Sequence, residues 1–313
     1  MRSVASKLLN GVLLVLGVTF ISFLLMVWFG PDQTYTLIGK NASPGQIEDV
    51  RRQLGYDQPF WQRYGEYLRE LATLDLGASN ASGEPVRALL ARTVPISLLL
   101  MMPGFLLGNL LGIALGLTAA RHRGRWGDRA VTVLSVTAMS ISFLVVIIAF
   151  QVLLSTPYGL DLFPVRGWQV DGFVSYLQYV TVPTLALVFV TVGYNTRFYR
   201  ALFVEEYGKD HIRTARAFGA PERLILWKHV LKNSMVPIVT RIMFSIPLVV
   251  ISGSLLIESY FGIPGIGQAT FEAITSGDQP VLKAVVGLTA VVFVLIQTVT
   301  ELLYRLLDPR VAR

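Results

Sequence analysis

The 313-residue chain is 53% hydrophobic and 15% charged, carries a formal net charge of +7 and contains no cysteine. A water-soluble domain averages about a quarter charged residues, so this chain cannot cover a folded surface with polar groups, and a bilayer is the solvent that suits it. Disulfides, thiolate metal sites and cysteine nucleophiles are excluded, and the basic residues flank apolar runs instead of forming a nucleic-acid-binding patch.

About 20 apolar residues cross a bilayer as a helix. The first such run, residues 8–29, follows Arg2 and Lys7. It is too long for a signal-peptide core and no small-x-small cleavage site follows it, so it reads as a retained span ending a first segment, 1–29. Residues 30–93 form a long polar segment predicted to lie outside the membrane. There Ser43-Pro44-Gly45-Gln46 has the pattern of an N-cap, a first-turn proline and a capping-box partner, and Gly55 suits the helix's C′ position. A second amphipathic helix follows Pro59, with Phe60, Tyr64, Leu68 and Leu71 on one face. This pair either lies on the outer membrane surface or on neighbouring spans, or serves as a docking or gating element for an external partner.

Residues 94–313 read as a five-span core. The second span, 94–119, carries Gly104, Gly108, Gly112 and Gly116 four residues apart, a smooth ridge for close helix packing, with Pro103 as a possible kink. The third span is expected over 130–154. The fourth, over 180–201, has Tyr194, Asn195 and Arg197 crowding its end, and the fifth and sixth cover 236–258 and 281–304. Polar residues on the third and fifth spans, Ser135, Ser142, Ser245, Ser252 and Ser254, are candidates to line a pathway, although serines also pack quietly between helices. Charges within spans are costly and usually purposeful. Glu258, near the outer end of the fifth span, either reaches interfacial water or serves as a gate or loop anchor. Gln297 and Glu301 stand four apart on one face of the last span and suit a polar contact inside the bundle, with Arg305 in reach.

Orientation follows from the basic residues near the span ends. Two lie in the N-terminus, four in Arg121–Arg129, nine in Arg197–Arg241 and three in Arg305–Arg313, which makes 18 of the 27. The short loops on the other side hold Arg166 and, at an edge, Lys283. Both termini are therefore expected to be cytoplasmic.

The cytoplasmic loop 204–235 is too polar to be a span and too regular to be a floppy connection. Ile212–Phe218 and Leu224–Val230 suit helix, and Gly219-Ala220-Pro221 reads as a stop followed by a restart. The small residues Ala215, Ala217, Gly219 and Ala220 leave the corner open for another protein to seat against.

Several separate motifs along the chain resemble one family. Ala215-Arg216-Ala217-Phe218-Gly219, Lys228-His229, Asn233 and Pro237 are similar to the EAA loop of binding-protein-dependent ABC importers, in its dipeptide and oligopeptide permease form. Ile257-Glu258-Ser259-Tyr260-Phe261-Gly262-Ile263-Pro264-Gly265-Ile266-Gly267 matches the family's Glu-x-x-Phe-x-x-Pro-Gly-x-Gly segment. Ala273-Ile274, Asp278, Pro280 and Asp308-Pro309-Arg310 follow at the family's spacing. Leu54-Gly55-Tyr56-Asp57-Gln58-Pro59 and Asp75-Leu76-Gly77-x-Ser79 resemble its external segment. The chain departs from the pattern at Leu74, where relatives often have glycine. It also departs at Ser140-Ile141-Ser142-Phe143, which lacks a common proline, and at Gln297 and Glu301, where Asn and Asp are usual.

The resemblance implies an all-α integral membrane protein of about six spans with the type I ABC importer permease fold. It implies an inner-membrane subunit that forms half of a pathway for short peptides, or for another solute such as a nickel chelate or glutathione. The implied partners are a homologous permease, two ATP-binding subunits that hold ATP and magnesium, and a periplasmic or lipid-anchored solute-binding protein. Asp210, Arg213, Thr214, Ala215, Arg216, Ala217, Phe218, Gly219, Ala220 and Pro221 would form the coupling helix that meets the ATPase.

The residues themselves are compatible with no catalytic reading. Gly262-Ile263-Pro264-Gly265-Ile266-Gly267 lacks the Lys-Ser/Thr of a phosphate loop, and His122, His211 and His229 form no His-Glu-x-x-His. Two other classes compete: a stand-alone secondary transporter, which would carry its own ion site and often inverted repeats, and an intramembrane enzyme, which would need a nucleophile and base or a metal cluster inside the spans.

Overall fold

The computed structural model describes residues 2–30, 34, 38, 43–247, 249 and 254–307, with the side chains of 2–8, 10, 53 and 305 outside that description. Ser252, the Arg305 side chain and Asp308-Pro309-Arg310 therefore lie outside the described residues.

The described elements are helices: α1 (Arg2–Phe29), α2 (Pro44–Gln53), α3 (Phe60–Thr73), α4 (Val86–Arg121), α5 (Trp126–Ser140), α6 (Phe143–Ser155), α7 (Phe173–Tyr207), α8 (Asp210–Ala217), α9 (Met235–Pro247), α10 (Ser254–Phe261), α11 (Ile266–Ser276) and α12 (Gln279–Leu307). A short turn, Glu222–Leu224, runs into a π-helix, Ile225–Leu231, between α8 and α9. Among the six expected spans, α1, α4, α7 and α12 are unbroken helices long and apolar enough to cross a bilayer. The third is two helices, α5 and α6, bent by 98°. Ile141 and Ser142 both take extended backbone there, and Ser140 turns its hydroxyl back onto the Val136 carbonyl at 2.7 Å. The break thus forms without the proline. The fifth is represented by α9 and α10.

The chain divides into two compact units, Met1–Ser97 with Pro264–Ile296, and Leu98–Ile263 with Gln297–Arg313. In the first, the amphipathic face expected on α3 seats on α1. Phe23 stacks on Tyr67 with ring centroids 5.5 Å apart, Phe20 meets Tyr64 edge-on, and the Tyr64 hydroxyl donates to the Leu16 carbonyl at 3.0 Å. The same helix reaches α12: Tyr67 donates to the Lys283 carbonyl at 2.9 Å, and Gly287 leaves room for Leu71. The α3 helix therefore belongs with its neighbouring spans. Burial raises the Tyr67 phenol well above its ordinary pKa, with Tyr64 and Glu70 adding to the effect. The sequence-predicted caps of α2 are present. Ser43 and Gln46 exchange side-chain and backbone bonds, and Gly55 (φ +68) closes a Schellman turn with Tyr56 N–H on the Arg51 carbonyl.

In the second unit, the glycine ridge of α4 finds its partner within this chain. A Cβ at Gly104, Gly108, Gly112 or Gly116 would meet Leu187, Thr191, Asn195 or Tyr199 of α7 at 2.1–2.9 Å. Each step of four on α4 matches a step of four on α7, so the two run parallel. Helix α5 runs antiparallel to α7, with Asp128 against Arg200 and Gly193 against Ser135 and Ala138, and α6, bent away from α5, packs Phe150 on Phe189. Parallel α4 and α7 with α5 reversed are what successive crossings of a membrane require.

Candidate functional site

The corner that follows α7 is built from α8, the turn after it and the π-helix. Its stop signal works as the residues predict. Gly219 takes φ +78, its N–H reaches the Arg216 carbonyl at 2.9 Å, and Ala220 N–H reaches Ala215 at 3.1 Å, the two bonds of a Schellman motif. Pro221 then caps the next turn, standing just before its first helical residue. The second arm is a π-helix where the sequence suggests an α-helix. Across the corner, Arg216 grips Glu222 with two hydrogen bonds, at 2.7 and 3.3 Å, and lies over the Tyr207 ring. Glu222 holds the Arg216 guanidinium still more firmly protonated than usual.

Below the corner lies an apolar keel. Ile212, Ile225, Leu226 and Val230 bury themselves among Leu117, Ala120, Tyr199, Phe203 and Ile238. Burial of this kind is worth roughly 1.5–3 kcal/mol per large aliphatic side chain, so the corner is held as one body with the C-terminal ends of α4 and α7 and the start of α9. Glu206, only 4% exposed, pairs with Lys209 and with His211 Nε2 at 3.3 Å, and Asn233 meets that same ring nitrogen at 3.1 Å. Asn233 of the sequence motif thus positions the start of α8. The three histidines gather no metal site among the described residues.

The outward face is the reverse of the keel. Asp210, Arg213, Thr214, Arg216, Ala217, Gly219 and Pro221 are exposed, Ala215 and Ala220 are half-buried, and Phe218 is 87% exposed. Ten neighbouring predicted residues therefore share one corner.

The predicted pathway residues do not form one group. Ser135 is buried where Gly193 approaches its backbone, Ser254 is buried, Ser142 is exposed at the α5–α6 break, and Ser245 bonds its own helix at the Ile242 carbonyl. Glu258 is fully buried, so it does not reach interfacial water as one expectation had it.

Three arrangements escaped the sequence reading. Asp278, 2% exposed, accepts from Ser79 Oγ at 2.5 Å and from the N–H groups of Asn80 and Ala81 at 3.3 and 3.2 Å, so two motifs that seemed independent form one clamp. Asp128 takes a two-pronged ion pair from Arg200, at 2.5 and 2.8 Å, tying α5 to α7. Finally, Asn109 Oδ1 accepts from Tyr199 at 2.9 Å and from Asn195 at 3.1 Å, and Arg241 Nε reaches Asn195 Oδ1 at 3.4 Å. Arg241, counted with the cytoplasmic flank from the sequence, is the seventh residue of α9.

Residues 1–100 match the N-terminal part, and residues 112–313 the main part, of the family described as binding-protein-dependent transport system inner membrane component. The chain belongs to that family. It is accordingly a multi-pass ABC importer permease component, and the chemistry of ATP is not its own. A putative peptide transport system permease protein of Brucella abortus is 32% identical over 311 residues, covering 98% of both chains. A probable D,D-dipeptide transport system permease protein of Escherichia coli is 32% identical, covering 96% of this chain and 95% of its own. A glutathione transport system permease protein of Salmonella choleraesuis is 31% identical, covering 98% of each. Among solved structures, an inward-facing MetNI methionine ABC transporter chain is 20% identical with a TM-score of 0.57, covering 72% of this chain and 99% of that one. This permease component therefore shares that fold.

Proposed function

We propose that this permease forms half of an inner-membrane pathway for short peptides and transmits the motion of a separate ATPase through the corner centred on Phe218 and Gly219. The observation that carries the coupling role is the contrast across that corner: a keel of buried aliphatic side chains on one side, and a fully presented Phe218 on the other. A stiff lever passes on displacement, where a slack loop would absorb it. Its partners are a homologous second permease, two ATP-binding subunits and an external solute-binding protein, and both of its termini are cytoplasmic.

Short peptides are the favoured cargo because relatives named for peptide and dipeptide transport match nearly the whole chain. The glutathione relative favours a second cargo of similar chemistry, itself a small peptide. The test is to express the chain with its genomic neighbours and measure uptake of labelled di- and tripeptides into vesicles. Uptake should require ATP and the ATPase subunits, which should co-purify with this chain. Uptake that persists without those subunits would overturn the coupled reading, and ATP-driven transport of other solutes with no peptide uptake would overturn the cargo alone.

A further inference from the structure

Arg241 sits in an unusual setting. It is the seventh residue of an apolar helix, α9, about 9 Å along the axis from Met235. Its neighbour Asn195 lies about 9 Å inside the expected end of the fourth span at residue 201, at the level of Gly112. A cation at that depth is expensive, and such residues face the bundle interior, a partner or a water-filled space, not lipid.

The guanidinium is half engaged. Nε donates to Asn195 Oδ1, and the carbon of the group lies 4.5 Å from the centroid of the Phe198 ring. Asn195 is in turn fixed by Asn109, and Asn109 by Tyr199. These contacts orient the group and leave the Nη1/Nη2 edge with no acceptor among the described residues, and no carboxylate there pairs with it. The side chain is only half-buried. A planar fork held by its rear nitrogen and one face, with its front edge open, has the geometry that takes a carboxylate through two parallel hydrogen bonds.

We infer that Arg241 is a carboxylate-binding residue on the translocation pathway, and that it receives the free C-terminal carboxylate of a peptide on its way to the cytoplasm. The inference rests on the reading of the cargo as peptides. A carboxylate supplied by the second permease subunit is the alternative that the test must separate.

The chain's lack of cysteine makes Arg241→Cys a unique thiol in it. In inside-out vesicles holding the full complex, a membrane-impermeant thiosulfonate should label this chain at that position, as a residue on the pathway requires. An unreactive thiol would overturn the assignment. Uptake gives a second readout, with the binding protein common to every sample. In Arg241→Gln the ratio of trialanine to trialanine amide uptake should fall about tenfold relative to wild type, and Arg241→Lys should recover part of it. Equal loss of both peptides would mark a structural residue or a partner ion pair instead. A wild-type complex that transports neither peptide would defeat the cargo reading, while water access at position 241 would still be reported by the label.

Discussion

Phe218 and Gly219 are neighbours at the tip of the corner after α8, yet they should fail differently when changed. Phe218 touches almost nothing in its own chain, so Phe218→Ser should leave the thermal midpoint of the purified complex within the small range of surface substitutions, about 0.5 kcal/mol. If it fills a recess on an ATPase, ATP-driven uptake should nevertheless drop by about tenfold, the equivalent of ~1.4 kcal/mol of lost contact. Gly219 has open space around a notional Cβ, so what constrains it is its φ of +78. Gly219→Val should strain the turn by roughly 1–2 kcal/mol and uncouple uptake from ATP hydrolysis, whereas Gly219→Asn, which tolerates left-handed backbone, should retain much more activity. Vesicle uptake and ATPase rates measured side by side check both. Asp278 is a different case, since it ties the loop at Ser79–Ala81 to the start of α12. Asp278→Ala strips the acceptor from the Ser79 hydroxyl and from the backbone N–H groups of Asn80, Ala81 and Val281, at a cost of about 3 kcal/mol if those donors stay buried. The thermal midpoint should fall and the loop 77–86 should become open to protease. An unchanged midpoint would mean that water takes over the clamp.

Elements pair here through shape more than through polar contact. The α4–α7 interface depends on four glycines, and the tightest approach is at Gly108, where a Cβ would stand 2.1 Å from Thr191 Oγ1. Gly108→Val should force the helices apart and cost about 1–3 kcal/mol, seen as loss of assembled complex after detergent extraction. Gly17 is also in a membrane helix, but nothing lies within 4 Å of its notional Cβ, so Gly17→Val should be tolerated. This interface shows what a sequence can and cannot convey. The ridge itself was legible because glycine every four residues has one geometric meaning on a helix; its partner was not, because nothing in residues 187–199 advertises the complementary groove. Caps at Ser43, Gly55 and Gly219 were legible for the same local reason. The contacts of Asp278 with Ser79, and of Arg200 with Asp128, join residues far apart in the chain, and local pattern carries no information about such pairs. The 98° break at Ile141-Ser142 was obscured because the proline that would announce it is missing. Arg241 was hidden by its position near a basic loop, where charge counting claimed it for the flank.

At the scale of the whole molecule, the helix directions impose a constraint on topology. Within the second unit, α4 and α7 run parallel and α5 runs against α7. If Arg121, at the end of α4, is cytoplasmic, then Tyr207, at the end of α7, must be so too, and the corner after it hangs on the side where ATP is available. The positive charge near these ends points the same way. Residues 30–93, read from the sequence as lying outside the membrane, should then be reached from the opposite compartment. Two single-cysteine variants in this cysteine-free chain test the arrangement directly. Ser82→Cys, in the exposed loop over Asp278, should react with an impermeant maleimide added to intact spheroplasts. Arg213→Cys, on the exposed face of α8, should react only after the membrane is opened or inverted. Labelling of both from one side would contradict the alternation of spans, and with it the placement of the coupling corner beside an ATPase.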